Sequence, residues 1–189
     1  MYQKYSTEAL VLGNRETGES DRTYFLYTKD FGLVRARARA VRSESSRMRY
    51  ALQNYSYSKV SLVRGARGWR VTGAGALRPW SGEVSGVAAF ARASALLMRL
   101  SGNEEKNEYL FAAIREAQGA LMDRQAPRAT VEIVCVARIL YALGYLSDEA
   151  LKSALFTHTA YTGEHLLEAE TMRDKLLSSI NKAIAETHL

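Results

Sequence analysis

The strongest constraint on the fold of this chain is a change of hydrophobic period near Pro79. Before it, apolar residues recur at every second position in short runs broken by turn residues. "TEALVLG", "RTYFLYTKD", "LVRARARAV", "YSYSKVSLVRG" and "GWRVTGAGAL" each read as a strand. "KDFG" supplies a turn, since Asp30 and Gly32 both accept turn conformations. Five short strands with turns between them predict a small barrel or a sandwich.

After Pro79, "RPWSGEVSG" reads as a junction, and from Glu83 onward the apolar spacing becomes helical. "EVSGVAAFARASALLMRLS" is one predicted helix. "NEEKNEYLFAAIREAQGALM" is a second, with Asn103 as N-cap and Glu104, Glu105 and Glu108 in a solvated first turn. "PRATVEIVCVARILYALGYL" is a third, opened by Pro127 and closed by Gly144. Between Val131 and Leu143 its only charges are Glu132 and Arg138, so it belongs in the middle of a bundle. A short fourth helix is expected to start at Ser147 with Asp148 and Glu149. The last, "TMRDKLLSSINKAIAETHL", sets Met172, Leu176, Ile180, Ala183 and Ile184 on one face.

The charge divides at the same place. Residues 1–80 hold fifteen Lys/Arg against six Asp/Glu, a balance of +9, whereas residues 81–189 hold eleven against fourteen, a balance of −3. Such asymmetry predicts two modules, with an anionic partner for the first. The single cysteine, Cys135, excludes a disulfide framework and a four-cysteine zinc site. No apolar run has the length of a membrane span, and the first residues lack a signal-peptide core. A cytoplasmic location is the expectation.

The basic character concentrates in "GLVRARARAVRSESSRMR", six arginines in eighteen residues. In a strand, Arg35, Arg37 and Arg39 share one face and Val34, Ala36, Ala38 and Ala40 the other. The alanines suit a crowded interior. The arginines form a ridge with a spacing of about 7 Å, suited to tracking phosphates. Arg42, Arg47 and Arg49 lie in or beside the following loop, among serines able to contact phosphate. A charged edge strand that merely blocks aggregation is the plainer alternative. Lysine would serve it equally, however, and no acid follows within the stretch before Glu44. Single strands are also held by stacking on aromatic rings. Tyr50, Tyr55 and Tyr57 flank the basic loop and are the stacking candidates, whereas Phe25 and Trp69 are expected to pack in the core.

Catalytic constellations do not assemble. Cys135 sits in the most apolar helix, as a buried inert thiol does. His158, His165 and His188 are scattered and lack zinc spacing. "GAGAL" lacks the third glycine and the following helix of a dinucleotide fingerprint, and no phosphate-binding loop is present. No enzyme, cofactor or metal is expected.

In its motifs the chain resembles the bacterial recombination mediator family RecO. The features fall in the family's order: an apolar strand, the Gly-Glu-Ser-Asp-Arg turn at Gly18–Arg22, a Gly-Leu-Val start at Gly32, a basic strand, and a Ser/Arg loop ending in Leu52 and Gln53. Farther on, "RILYALGYLSDEA" is similar to the family's central helix and "INKAIAETHL" to its closing helix. The resemblance implies an α+β chain: an N-terminal OB-fold β-barrel over residues 1–80 and an all-α helical domain over residues 81–189. It implies binding of single- and double-stranded DNA, strand annealing, contact with the C-terminal tail of the single-stranded-DNA-binding protein SSB and with RecR, and, indirectly, loading of the recombinase RecA.

Carried onto this sequence, the DNA surface comprises Arg35, Arg37, Arg39, Arg42, Arg47 and Arg49, beside Tyr50, Tyr55 and Tyr57. Asp21 and Arg22 are expected to pair and fix their turn. Arg138, the lone cation of its helix face, is the residue offered for the acidic tail. Many family members carry a four-cysteine zinc module after the Leu-Gly-Tyr-Leu segment, whereas "SDEALKSALFTHTAYTGEH" has no cysteine, so the contacts of that module are in doubt here. Two other readings stay open on the residues alone: an adaptor whose basic face docks an acidic protein, and an OB-fold RNA binder.

Overall fold

The computed structural model describes residues 3–102, 104–147 and 154–187. The chain divides into two compact units, Met1–Ser81 with Ser101–Glu108, and Gly82–Leu100 with Tyr109–Leu189. The segment between the first two long helices thus belongs with the strands, and a single cut after residue 80 would separate it from them. Its ties are specific. Glu104 pairs with Arg64 at 3.4 Å, and a Cβ on Gly32 would stand 2.1 Å from the Glu105 carbonyl oxygen.

The first unit is a closed five-stranded barrel in the order β1-β2-β3-β5-β4, the OB-fold arrangement. Its strands are β1 (Lys4–Thr17), β2 (Asp21–Thr28), β3 (Gly32–Ala38), β4 (Tyr57–Gly65) and β5 (Gly68–Arg78). β1 is twice the length expected from "TEALVLG". Its first half pairs with β4 and its second with β2, and a register shift between Val11 and Gly13 lets it bend from one neighbour to the other. The barrel closes through a parallel pairing of β3 with β5, Ala36 opposite Trp69 and Ala38 opposite Val71. The alanines explain themselves there. Both are fully buried, and their small side chains leave room for the Trp69 indole in the same core cluster.

Alternation within β2 decides which aromatics fill the barrel. Tyr24 and Leu26 join that core, so Phe25 between them lies on the outer face, half-buried there instead of packed in the barrel core as expected. Tyr27 shares that outer face but is buried. Burial, with the Glu105 carboxylate nearby, pushes its hydroxyl well above the usual tyrosine range. Between β3 and β4 a single helical turn, α1 (Met48–Ala51), replaces the expected loop, and Met48 packs against the core.

The helices of the second unit are α2 (Val84–Leu100), α3 (Glu108–Met122), α4 (Arg128–Ala142), α5 (Gly163–Thr171) and α6 (Arg173–Glu186), with a 3-10 turn at Ala154–Phe156. α3 begins at Glu108, so Glu104 and Glu105 precede the helix instead of forming its first turn. α4 is central: Val134, Ala137 and Leu140 share a core with Leu146, Leu155, Phe156, Ala169, Leu176, Ile180 and Ala183. It ends as the sequence predicts. Gly144 adopts φ +80°, its N–H reaches the Tyr141 carbonyl at 3.0 Å, and Tyr145 N–H reaches that of Leu140 at 2.8 Å. α6 buries Leu176, Ile180 and Ala183 on the predicted face. α5 was not expected; Thr162 caps it, accepting from His165 N–H at 3.4 Å. The helix expected from Ser147 through Asp148 and Glu149, the Asn103 cap and His188 lie outside the described residues.

Candidate nucleic-acid interface

The site is the outer face of β1, β2, β3 and β5. Phe25 and Arg35 are directly opposite across β2 and β3, and Thr23 is opposite Arg37. Arg15 of β1 is opposite Thr23, and Arg70 of β5 is opposite Arg37. Residues opposite one another share a face. One row across four strands therefore reads Arg15, Thr23, Arg37, Arg70. The row beside it reads Gly13, Phe25, Arg35. The next, Tyr27 with Leu33, is buried. The accessible cations thus gather at the Asp21 end of the sheet.

Two arginines side by side on adjacent strands repel each other. A carboxylate from β2 offsets part of this. Asp21 accepts from Arg37 Nε at 2.9 Å and lies 2.8 Å from its Nη2. Its other oxygen accepts the Ala40 backbone N–H at 2.8 Å. The Ala40 N–H, then the Arg37 guanidinium, holds the Asp21 carboxyl below the usual carboxylate range. That bond also secures Ala40 in a left-handed conformation, φ +50°. Asp21 therefore fixes the turn through Arg37 and Ala40, in place of the expected pairing with Arg22. Arg22 instead meets Glu16 at 3.5 Å, and Arg42 meets the same carboxylate at 3.3 Å. The ridge is partly neutralised by acids distant in sequence, contrary to the expectation of an unopposed run.

β3 ends at Ala38, so Arg39 stands in the turn beyond it instead of continuing the ridge; it is exposed. Arg35, exposed, holds its guanidinium 5.7 Å from the centre of the Phe25 ring. Among the described residues, Arg15, Arg35, Arg39 and Arg47 have no carboxylate within ion-pair distance. Arg49 donates to the Tyr50 hydroxyl at 2.7 Å and lies 4.8 Å over its ring, and Tyr50 is 59% exposed.

The other two tyrosines stand elsewhere. Tyr55, at φ +67°, packs edge-on against Trp80, ring centres 6.3 Å apart. Tyr57, on β4, donates to Glu8 at 2.5 Å and lies under Arg78 at 5.6 Å. The barrel thus brings Arg35 and Arg37 together with Arg15, Arg70 and Phe25, which sequence reasoning missed. Their common face follows from strand register, which leaves no local signal.

Arg138, offered for an acidic tail, is fully buried. Its Nε donates to the Leu155 carbonyl at 2.9 Å, Nη1 to that of Thr159 at 2.8 Å and Nη2 to that of Ala160 at 3.0 Å. The guanidinium lies 4.5 Å over the Tyr161 ring. This arginine ties residues 155–161 to α4 and is not a surface contact. Glu132, the other charge of this helix stretch, grips Arg92 at 2.6 and 2.7 Å. Burial pushes the neighbouring Cys135 thiol up to about 12. His158 and His165 stack with ring centres 5.4 Å apart, and His165 Nδ1 lies 3.0 Å from Thr162 Oγ1. Among the described residues no three His, Cys, Asp or Glu side chains gather to hold a metal ion, and no helix is long and apolar enough to cross a membrane.

Comparison with known proteins places the barrel. Residues 1–74 match the family described as Recombination protein O N terminal. The chain is similar to the DNA repair protein RecO of Desulfitobacterium hafniense, 39% identical over 61 residues, which cover 32% of this chain and 22% of that protein. It is 31% identical over 112 residues to the DNA repair protein RecO of Dehalococcoides mccartyi, covering 57% of this chain and 44% of the relative. Against the same-named protein of a Nocardioides species it is 36% identical over 77 residues. The matched segments span less than half the length of these relatives.

Proposed function

We propose that this chain, whose residues 1–74 match the Recombination protein O N terminal family, acts in DNA repair and recombination by binding DNA on the outer face of β1, β2, β3 and β5. The observation that carries the reading is the cross-strand row of Arg15, Arg37 and Arg70 with Arg35 beside it. Arg37 and Arg70 stand directly opposite one another, Asp21 offsets only part of their repulsion, and a polyanion laid across the row relieves more of it. Phosphates supply that charge, and their binding releases counterions, so affinity falls with salt and depends little on sequence. Arg39, Arg42, Arg47 and Arg49 extend the basic surface along the chain, with Tyr50 exposed at its end.

On this reading the protein performs no bond chemistry. It holds single- and double-stranded DNA, and it anneals complementary strands by screening their mutual repulsion on one basic surface. A mediator of this kind clears a path for RecA on SSB-coated strands, with RecR as a further partner. A docking residue for the SSB tail is not assigned, since Arg138 is buried.

The test is annealing of complementary oligonucleotides, with and without the protein, alongside Arg15→Ala/Arg37→Ala/Arg70→Ala. The parent protein should accelerate annealing and the triple variant should not, while both melt alike. Equal acceleration by both would remove this face from the mechanism. Preference for RNA over DNA of matched sequence would favour the RNA-binding alternative.

A further inference from the structure

We propose that Phe25 is a stacking platform for an unpaired base, which makes this face selective for single-stranded over duplex nucleic acid; the inference rests on the DNA-binding reading above. Phe25 is a half-buried apolar ring on the outer face of a strand whose neighbours, Tyr24 and Leu26, fill the barrel. It takes no part in that core. A phenyl ring half-open among cations needs a reason, and its surroundings supply one. The residue opposite it on β1 is Gly13, which contributes no side chain beside the ring. Opposite on β3 is Arg35, its guanidinium 5.7 Å from the ring centre and with no carboxylate partner among the described residues. The flanking row supplies Arg15, Arg37 and Arg70.

The arrangement therefore sets the Arg35 guanidinium over one π-face, with the arginines of the flanking row beside it. A base that takes the place of Arg35 on the ring frees its guanidinium for the adjoining phosphate or for stacking on the base itself, and the next row holds the following phosphate. In a duplex the bases are already stacked on one another and cannot reach the ring without being extruded, so selectivity follows from the aromatic and affinity from the arginines.

The experiment compares the parent chain with Phe25→Leu and Phe25→Trp. Each is titrated with a single-stranded oligothymidylate and with an abasic oligomer of equal length, at several salt concentrations. The parent should bind the thymidylate about five- to a hundredfold more tightly than the abasic chain. Phe25→Leu should erase that gap with the salt slope unchanged, and Phe25→Trp should restore it with its fluorescence quenched by the thymidylate. A gap that survives in Phe25→Leu, or a parent with no gap, overturns the platform while leaving DNA binding in place. A parent that binds neither oligomer at low salt overturns the DNA-binding reading, and the platform with it. Melting of each variant separates a binding effect from a folding one.

Discussion

Replacing Arg138 tests how the helical unit is held together. Its guanidinium makes three hydrogen bonds to carbonyls, at 2.8, 2.9 and 3.0 Å, spread over residues 155–160. A hydrogen bond to a charged donor contributes about 1.5–3 kcal/mol. Against that stands the cost of burying the cation, several kcal/mol. In Arg138→Ala the desolvation cost disappears, but three acceptors lose their donor and the side-chain volume is left empty. The bond to Leu155 is buried, so water does not readily replace it, whereas the Thr159 and Ala160 bonds are only partly buried. The balance predicts a loss of about 3–5 kcal/mol. Arg138→Met fills most of the space without a charge and should lose less, about 1–3 kcal/mol.

Urea denaturation followed by far-ultraviolet circular dichroism reads the helices. With a slope of about 1–3 kcal/mol per molar urea, the alanine variant should unfold about 1–5 M earlier. Both tryptophans, Trp69 and Trp80, belong to the barrel unit, so fluorescence in the same titration reports the barrel separately. An alanine variant within about 0.5 kcal/mol of the parent would refute the reasoning, as would a lysine variant of parental stability, because one ammonium cannot reproduce the fork.

Gly32→Ala should destabilise the barrel by at least about 2 kcal/mol, because φ is +62° and the new Cβ meets the Glu105 carbonyl; Gly18→Ala, at φ +77° with nothing within 4 Å, should cost less in the same fluorescence-monitored denaturation. Cys135, its thiol pushed up to about 12 by burial, should stay unreactive toward a disulfide reagent at pH 8, where an exposed thiol of pKa about 8.5 reacts, and titrate fully once the chain is unfolded. Asp21→Asn should raise affinity for single-stranded DNA and steepen the salt slope by about 0.7, one phosphate contact, since Arg37 loses its internal carboxylate. The sign in pH agrees: the depressed Asp21 pKa makes its grip on Arg37 and Ala40 complete above the ordinary carboxylate value and loses it as pH falls through the depressed one. Amide exchange at Ala40 should accelerate over that acid window in the parent and show no such step in the variant.

The barrel is legible in the sequence because period two and glycine-bearing turns are local signals. All five strands sit where the alternation places them, with ends that shift by a few residues. The long helices are legible for the same reason, down to Gly144 at the end of α4. Local signals say nothing, however, about which strand lies beside which. Asp21 and Arg37 are sixteen residues apart and meet only through the β2–β3 register. Arg15 and Arg70 join the basic face in the same way, and no pattern around either marks it. Phe25 turns on a single step of alternation: its neighbours are core residues, so it cannot be one. Arg138 reads as an exposed anchor because the carbonyls that bind it come from residues 155–160, whose backbone direction no side-chain pattern encodes. α5 goes unmarked in the sequence because it is short and buries only Leu166 and Ala169, too few apolar positions to set a helical period.

Nucleic-acid binding through the arginines on the outer face of β1, β2, β3 and β5 can be read by fluorescence anisotropy of a labelled single-stranded oligonucleotide, titrated at several salt concentrations with the parent protein and with Arg35→Ala/Arg37→Ala/Arg70→Ala. Parental affinity should fall steeply with salt across unrelated sequences, and the variant's slope should be flatter by about 2, three phosphate contacts at about 0.7 each. No binding by the parent at low salt, or an unchanged slope in a folded variant, would contradict binding through this face.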